Sequence, residues 1–345
     1  MIRRLSYLFV VFASLLVGCG KNPVPSADET DGAILFGVQQ MGLSTKALST
    51  APDDANYLIA DGNQIGVFGT WTSPENVSTD VFSKIPITCK EESAGVFKWE
   101  YSPLKYWRKN GFYDFSAIFP YTANCQYGTN GNKLVASYSM HAENYDLMVA
   151  SATRDLSAVD DTSPVNLTFQ HAMAAVRFVF CKGSEANNYY LDTFQLEYLH
   201  AVGILVYNGG TVSVNNWNPA QFRSPTVLEW SAEGDLSKRI SIPGNYSDYP
   251  KDEWHYVIPQ HLRYDDGSHP AVYFSVHVND DTTPVYTTLP LPETYDNGQD
   301  VVWEPGKMYT YYILIQPSKA YITVQVTPWD SYYVAVDDVN FGDLN

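Results

Sequence analysis

Positive charge is scarce in this 345-residue sequence, which has 21 lysines and arginines against 38 aspartates and glutamates. The formal net charge at pH 7 is therefore -17. Phosphate backbones and anionic membrane surfaces attract basic proteins and repel acidic ones. The composition thus argues against nucleic acid as a partner, and equally against an anionic membrane surface.

Cysteine is also rare, with four residues in the chain. Cys89, Cys125 and Cys181 lie far apart, and none belongs to a CxxC or CxxH motif of the kind that zinc sites use. One disulfide is possible with this number of residues, whereas a disulfide framework is not. We interpret the three residues as scattered core thiols and leave their disulfide state open.

The common catalytic motifs are missing, including the GxSxG elbow, the HExxH zinc motif and the P-loop. The seven histidines are scattered, and for His171 we expect a structural role at a strand boundary. Paired aspartates such as Asp160 and Asp161 lie in polar stretches without the ligand spacing of an EF-hand. The sequence therefore predicts no enzyme, no catalytic residue, no cofactor and no metal site.

The first positive feature of the sequence is an apolar run near its start. Arg3 and Arg4 precede residues 7–17, which are almost entirely apolar. A helix that anchors a protein across a bilayer needs roughly 20 apolar residues, so this run is too short for that role. We therefore predict that residues 1–18 are a lipoprotein signal peptide.

The run ends in LVGC at residues 16–19, which resembles the lipobox of bacterial lipoproteins. In a lipobox, signal peptidase II cuts before a cysteine that already carries a diacylglyceryl group. We expect that cut between Gly18 and Cys19 and predict Cys19 as the lipidated first residue. Several acyl chains on one residue would hold a soluble domain firmly in outer-membrane lipid.

A lone strand is predicted soon after Cys19. The polar stretch at residues 20–31 contains two prolines and is typical of a flexible tether. In the following AILFGVQQ, the residues Ile34, Phe36 and Val38 alternate with others, which is the period of a strand with one apolar face. Small and polar residues at 41–56 then predict an accessible loop between this strand and the rest of the chain.

Strand signals recur through the remaining sequence. Segments such as FYDFSAIFPY and AYITVQVTPW combine alternation with aromatic and β-branched residues, and they are bounded by Gly, Pro, Asn or Asp. No segment has a convincing apolar helix stripe. The pattern favours an all-β fold of antiparallel β-sandwiches. A polar break after Phe180 places the domain boundary near residue 185, which gives an N-terminal sandwich at 47–185 and a C-terminal sandwich at 186–345.

Several phrases follow one another in an order that resembles a known family. After the lipobox come ILFGVQQ, STKALS, GNQIGVFGTW, YWRKNGFYDFSAIFPY, YDLMVA, LTFQHAMAAVRFVF, WEPGKMYTYYILI and ITVQVTPWD. Together they resemble the fimbrillin family, the lipoprotein pilin precursors of type V pili in Bacteroidales. The resemblance covers almost the whole chain and implies two transthyretin-like antiparallel β-sandwich domains in tandem.

The resemblance also implies how such a subunit assembles. In stalk and tip pilins a trypsin-like protease cuts the loop after the first strand, and an extended segment of another subunit fills the groove left behind. Here residues 19–46 would be the tether and the removable strand, with the cut between Lys46 and Ala47. The family usually has arginine at this position, so an arginine-specific protease is expected to cut this chain poorly.

The C-terminal segment leaves two interpretations open. Tyr332, Val334 and Val336 share one face of a possible strand, which is either a donor for another subunit or the closing strand of the second domain. The position of the subunit as stalk, tip or anchor is open for the same reason.

From these observations we predict a structural and adhesive subunit of a cell-surface pilus, located at the outer membrane. Its expected partners are other pilus subunits through strand exchange, outer-membrane lipid through Cys19, and a host glycan or protein receptor. One alternative is a non-polymerising pilus anchor. The other is a monomeric surface lipoprotein that binds glycans or host proteins, an interpretation motivated by five tryptophans: Trp71, Trp99, Trp107, Trp217 and Trp230.

Overall fold

The computed structural model describes residues 30–40, 58–128, 134–157, 161–183, 186–250, 253–279, 281, 283–295 and 297–329. The predicted lipidation site Cys19, the predicted cleavage site Lys46-Ala47 and the C-terminal candidate strand lie outside these residues. Within the described ranges the regular structure consists of strands and three short 3-10 helices, which confirms the all-β class. No helix in those ranges is long and apolar enough to cross a membrane.

The first half of the described chain forms twelve strands: β1 (Thr30–Ala33), β2 (Phe36–Gln40), β3 (Gln64–Thr72), β4 (Ser78–Ser93), β5 (Val96–Glu100), β6 (Tyr106–Arg108), β7 (Phe112–Phe119), β8 (Cys125–Tyr127), β9 (Leu134–Ser139), β10 (Met148–Asp155), β11 (Val165–His171) and β12 (Ala174–Lys182). Several of them alternate buried and exposed residues, as a sheet with one covered face requires.

The second half forms twelve more strands: β13 (Tyr189–Glu197), β14 (Val202–Tyr207), β15 (Trp217–Pro219), β16 (Leu228–Ser231), β17 (Ile240–Ile242), β18 (His255–Val257), β19 (Gln260–His261), β20 (Ala271–Val278), β21 (Val285–Pro290), β22 (Val302–Trp303), β23 (Lys307–Gln316) and β24 (Lys319–Pro328). The 3-10 helices are Val214–Asn216, Leu236–Lys238 and Tyr246–Asp248.

A seven-stranded sheet dominates the first half, in the order β2-β11-β10-β7-β3-β4-β5. Its two edge strands, β2 and β5, approach each other with Cα atoms within 8 Å, so the sheet curls around its apolar face. Register shifts between β3 and β4 accompany this curl, since a bulge increases local twist. The enclosed core includes Ile65, Val67, Phe115 and Phe169.

Two sheets make up most of the second half. One has the order β18-β12-β23-β24, and the other has the order β16-β13-β20-β21 with β17 paired to β13. Strand β23 is buried along most of its length because β12 and β24 cover both of its edges and the core covers its face. Side chains from both sheets belong to one large cluster that includes Phe178, Phe274 and Tyr311.

A further sheet, β8-β9-β14-β15, connects the two halves of the chain. Strand β9 pairs with β14 from Val202↔Ser139 to Tyr207↔Leu134. The large cluster accordingly contains residues from before and after residue 185. Hydrogen bonds thus join strands on either side of the boundary that the sequence suggests, and the domain division at residue 185 stays a prediction.

Among the strands that the structure describes, two pairs are parallel, although the sequence favoured antiparallel pairing throughout. They are β2 with β11 and β12 with β23. Each pair joins strands that are more than a hundred residues apart, so a long connection can return the chain in the same direction. The sequence pattern within a short strand carries no signal for such distant pairing.

Cys89, Cys125 and Cys181 form no disulfide with one another. Cys89 and Cys181 are buried and Cys125 is half-buried. Burial raises the pKa of the Cys89 thiol to about 11, with the negative charge of Asp61 as a secondary cause. The interpretation of these residues as core thiols therefore fits their positions.

Candidate functional site

The candidate site lies where the first described residues join the edge of the seven-stranded sheet. We call residues 30–40, which contain β1 and β2, the edge segment. Strand β2 runs parallel to β11, from Phe36↔Val165 to Gln40↔Phe169, and has no further strand on its other side in the described sheet. Strand β1 pairs with β6.

Backbone hydrogen bonds hold the middle of the edge segment on two sides. The amide of Val165 donates to the carbonyl oxygen of Leu35 at 2.8 Å. The amide of Ile34 donates to the carbonyl oxygen of Lys105, also at 2.8 Å. Departure of this segment would leave these backbone groups of Val165 and Lys105 without their partners, together with the hydrogen-bonding edge of β11.

The side chains of the edge segment divide between core and solvent in alternation. Ile34 is fully buried, Phe36 is 6% exposed and Val38 is half-buried against the same core. Leu35, between the first two, is 49% exposed. The three residues that the sequence assigns to one apolar face therefore share the side that packs on the protein.

Phe36 occupies an aromatic slot, by which we mean the space between Phe82, Tyr101 and Phe115. Its ring centroid lies 5.4 Å from that of Phe82 and 5.7 Å from that of Phe115, with interplanar angles of 82° and 88°. The Tyr101 ring is 6.0 Å away. Edge-to-face pairs of this kind add about 0.5–1.5 kcal/mol each beyond the burial of their area.

Tyr101 also binds the backbone of the edge segment. Its hydroxyl donates to the carbonyl oxygen of Ile34 at 2.7 Å and accepts a hydrogen bond from the amide of Lys105 at 3.2 Å. Burial raises the pKa of the Tyr101 phenol above its usual range. The hydroxyl therefore keeps its proton at neutral pH and remains a donor to Ile34.

Gly37 follows Phe36 at a point of close approach to β11. A Cβ atom at this position would lie 2.6 Å from Oδ1 of Asn166. Asn166 is exposed, so its side chain can turn away, but it must move before any larger residue fits. The site thus favours a small residue directly after the aromatic one.

His171, at the end of β11, has a structural environment. Its Nδ1 lies 2.6 Å from Oδ2 of Asp146, and both side chains are buried. The imidazole also stacks on the indole of Trp329, with ring centroids 4.3 Å apart. These contacts place His171 in the packing at a strand end, away from the aromatic slot.

The tryptophans that motivated a ligand-binding interpretation are covered to different degrees. Trp107 and Trp217 are buried, and the Trp217 Nε1 donates to the carbonyl oxygen of Ala172 at 2.8 Å. Trp71, Trp99 and Trp230 are half-buried. Trp230 lines a cleft of about 420 Å³ together with Phe178, Phe194 and Glu229.

No group of three or more His, Cys, Asp or Glu side chains in the described ranges could hold a metal ion. Asp160 is outside these ranges, and Asp161 forms an ion pair with Arg154. The polar groups around the aromatic slot are backbone amides, carbonyls and a tyrosine hydroxyl. Such an arrangement can bind an extended peptide.

Sequence reasoning identified the edge segment but not the residues that receive it. Phe82, Tyr101 and Phe115 lie on or beside different strands, and only folding brings them together around Phe36. The sequence signal for them is a general enrichment in aromatic residues, which does not distinguish a slot from any other part of the core.

Comparisons with known proteins give a family and a shared fold. A sequence model described as fimbrillin-like matches residues 45–329. No curated protein sequence matches the chain. A solved fimbrial protein from Bacteroides vulgatus is similar at a TM-score of 0.52 and 12% identity, covering 86% of this chain and 99% of that chain.

Two further solved structures are similar over comparable lengths. A proposed cell adhesion protein from Bacteroides ovatus has a TM-score of 0.50 and 20% identity, covering 86% of this chain and 96% of that chain. Another, from Bacteroides uniformis, has a TM-score of 0.50 and 13% identity, covering 87% and 99%. At these identities the likeness concerns the fold.

Proposed function

This chain belongs to the fimbrillin-like family, and from that membership we propose that it is a structural and adhesive subunit of a cell-surface pilus. Its role is assembly and attachment rather than catalysis. Its proposed partners are other pilus subunits and a host glycan or protein receptor.

We propose that the chain is exported as a lipoprotein, anchored in outer-membrane lipid through Cys19, and then cut between Lys46 and Ala47. The support is the order of features in the sequence: basic residues, apolar run, LVGC, polar tether and a loop of small residues. Arg154, a basic residue in a second polar stretch, is a poorer candidate for cleavage. It lies within β10, is ion-paired with Asp161 and has an 18% exposed side chain.

The cut would release the edge segment and open a site for a strand from another subunit. One observation carries this proposal, namely that an edge segment ahead of the predicted loop places Ile34 and Phe36 in the core. Once the covalent link is cut, only non-covalent contacts retain the segment. An incoming strand that restores the hydrogen bonds and fills the apolar positions can replace it.

The experiment that tests this proposal is mass spectrometry of the mature N-terminus, on protein purified from the cell surface. A start at Ala47 is expected from filaments, and a Lys46→Ala variant should then keep its N-terminus at Cys19 and remain monomeric. An exposed lysine outside the loop, such as Lys90, provides a matched control whose replacement by alanine leaves the cut unchanged. Filaments made of subunits that still begin at Cys19 would refute cleavage and favour an anchor subunit.

A second candidate function, ligand binding by a monomer, is favoured by the cleft at Trp230. Its floor contains the buried side chains of Phe178 and Phe194, and its rim includes Glu229. An aromatic face beside carboxylate acceptors suits a sugar ring. Glycan-array binding that is lost in a Trp230→Ala variant, without any filaments, would support this candidate over the pilus subunit.

A further inference from the structure

The cleft beside Trp230 opens between the two sheets that form most of the second half of the chain. Phe178 and Phe180 of β12 line it from one sheet, and Leu191 and Phe194 of β13 line it from the other. All four side chains are buried, so the inner part of the cleft is apolar. Its volume of about 420 Å³ lies within the range of about 300–1,000 Å³ that is common for ligand pockets.

Strand pairing explains why the two sheets leave this gap. Strand β23 pairs with β12 as far as Lys182, whereas β18, on the opposite edge, pairs with it from Ala174 to Val176. In the other sheet the short strand β16 pairs with β13 from Thr193 to Leu196. Within the described part of the chain, the first sheet is therefore one strand short beside the cleft, which leaves room between the sheets at their edge.

Aromatic and acidic side chains surround the mouth of the cleft. Trp230 is half-buried, whereas Glu229 and Glu253 are exposed. Burial and the negative charge of Glu253 raise the pKa of the Tyr249 phenol above its usual range, so this hydroxyl keeps its proton at neutral pH. The lining residues that the structure describes include one histidine, His255, and neither lysine nor arginine. The mouth therefore carries negative potential, and the net charge of -17 adds to it.

The two carboxylates at the mouth do not hold equivalent positions. Glu229 lies between Leu228 and Trp230 in β16, and side chains alternate between the two faces of a strand. Leu228 and Trp230 pack against the core cluster, so the Glu229 carboxylate is directed to the outer face and acts from the rim. Glu253 lies between the last 3-10 helix and β18, and its charge affects the Tyr249 phenol. Glu253 is therefore the carboxylate that we expect to meet a ligand inside the cleft.

A cation on an apolar stem fits these surroundings better than a neutral group does. The faces of aromatic rings carry the negative part of the ring quadrupole and attract cations. A guanidinium also forms forked hydrogen bonds with a carboxylate and stacks on an aromatic face. The chain uses this stacking elsewhere, with guanidinium carbons 5.1, 4.5 and 4.3 Å from the ring centroids in the pairs Arg108–Trp71, Arg177–Trp254 and Arg223–Tyr264. An arginine side chain is therefore well suited to the cleft.

We propose that the cleft binds an arginine side chain of a protein partner. The guanidinium stacks on Trp230 and pairs with the carboxylate of Glu253, and the methylene stem lies against Phe178 and Phe194. This inference rests on the proposed function, since a protein receptor is among the proposed partners, and it names the chemistry by which that receptor is recognised. It also replaces the sugar ring of the second candidate function with a cation at the same cleft.

The test compares two short peptides that differ in one charge. Acetyl-Ala-Arg-Ala-amide carries the guanidinium, and acetyl-Ala-citrulline-Ala-amide replaces it with an uncharged urea group of nearly the same shape. Binding to the full chain is measured by NMR titration, from the backbone amide signals of Phe178 and Phe194. We expect the arginine peptide to bind about tenfold more tightly than the citrulline peptide, because the uncharged peptide loses both the ion pair and the attraction to the ring face.

Single variants of the chain locate the binding in the cleft. Glu253→Gln should weaken binding of the arginine peptide about fivefold, whereas Glu229→Gln should weaken it less than about twofold. Glu233→Gln is the matched control, because Glu233 is exposed, lies outside the lining and changes the net charge equally, and it should leave binding unchanged. Trp230→Ala should weaken binding about tenfold, whereas Trp230→Phe, which keeps an aromatic face, should stay within about threefold of the unmodified chain.

Three results would overturn the inference. Equal binding of the two peptides, or binding of neither, would show that the cleft does not recognise the charge of arginine. Methyl glucoside binding more tightly than the arginine peptide would favour the second candidate function instead. A free n-butylguanidinium ion that binds far more tightly than the peptide would show that the cleft takes a small cation and that an attached chain obstructs it.

Filament assembly tests the proposed function separately from this inference. The described residues that line the cleft belong neither to the edge segment nor to its seven-stranded sheet, so a Trp230→Ala variant should form filaments as the unmodified chain does. Filaments from a chain that binds neither peptide would refute the inference and leave the pilus subunit standing. Selective binding of the arginine peptide by a chain that forms no filaments would support the inference and count against the pilus subunit.

Discussion

Replacing Phe36 with alanine measures how strongly the edge segment is held. The Phe36 ring is 6% exposed and has three aromatic neighbours with centroids 5.4 to 6.0 Å away. Truncating a buried phenylalanine to alanine costs about 3–5 kcal/mol when the surroundings cannot collapse. Since the slot is formed by rings on several strands, we expect little collapse and a loss of about 3–4 kcal/mol in the free energy of unfolding.

The assay is equilibrium unfolding of the full chain in guanidinium chloride, followed by tryptophan fluorescence. Leu35→Ala is the matched control because Leu35 is the adjacent residue and is 49% exposed. We expect that variant to lose less than about 1 kcal/mol, as surface substitutions commonly do. Both variants should unfold with the same dependence on denaturant as the unmodified chain, which shows that the compared states are equivalent.

The same two variants can also be compared after a cut within residues 41–57, by the rate at which the edge segment is released. If the edge segment dissociates from the cut chain, Phe36→Ala should hasten that release and Leu35→Ala should not. A Phe36→Ala variant as stable as Leu35→Ala in both forms would refute the reasoning. The aromatic slot would then contribute nothing to holding the segment.

Three further outcomes follow from individual residues. Tyr101→Phe should destabilise the chain by about 1–2 kcal/mol, because the carbonyl of Ile34 loses its donor, and unfolding in denaturant measures it. Burial raises the pKa of Tyr113 to about 12, so the phenol ionises first in the unfolded chain, and the free energy of unfolding should fall as the pH rises from about 10 to about 12. In unfolding curves measured across this range, a Tyr113→Phe variant should show a shallower fall. An unchanged fall would contradict this. Cys89, with a pKa raised to about 11, should react with iodoacetamide at pH 8 far more slowly in the folded chain than in denaturant, as peptide mapping can show.

The sequence predicts the edge segment well because its signal is local. Ile34, Phe36 and Val38 pack on the core as their alternation predicts. The predicted single strand is, however, divided into β1 and β2, and β1 begins at Thr30, within the stretch expected to be a tether. The neighbours of that strand are set by contacts far along the chain. Pairing of β2 with β11 joins residues that are more than 120 positions apart, and pairing of β9 with β14 crosses the expected domain boundary.

The aromatic slot shows the same division between local and distant information. Phe115 lies in a segment that alternation marks as a strand, but nothing in that segment indicates that it meets Phe36. The hydrogen bond from Tyr101 to Ile34 spans 67 positions and depends on the path of the chain between β5 and β6. The limit on side-chain size at position 37 likewise comes from Asn166, and the sequence does not reveal it because it depends on the pairing of β2 with β11.

If strand exchange operates as proposed, a cut within residues 41–57 would change which strand occupies the site more than it would change the site itself. In the proposed exchange, an uncut chain keeps the edge segment covalently linked beside its groove, where a linked segment has an effective concentration of about millimolar. A strand on a second copy, present at far lower concentration, cannot displace it even with equal contacts. After such a cut, a released segment would diffuse away, whereas a donor strand would remain attached to the assembly. Under the proposed strand exchange, an occupant with an imperfect match would therefore succeed only once the covalent link is gone, and the uncut chain is expected to be monomeric.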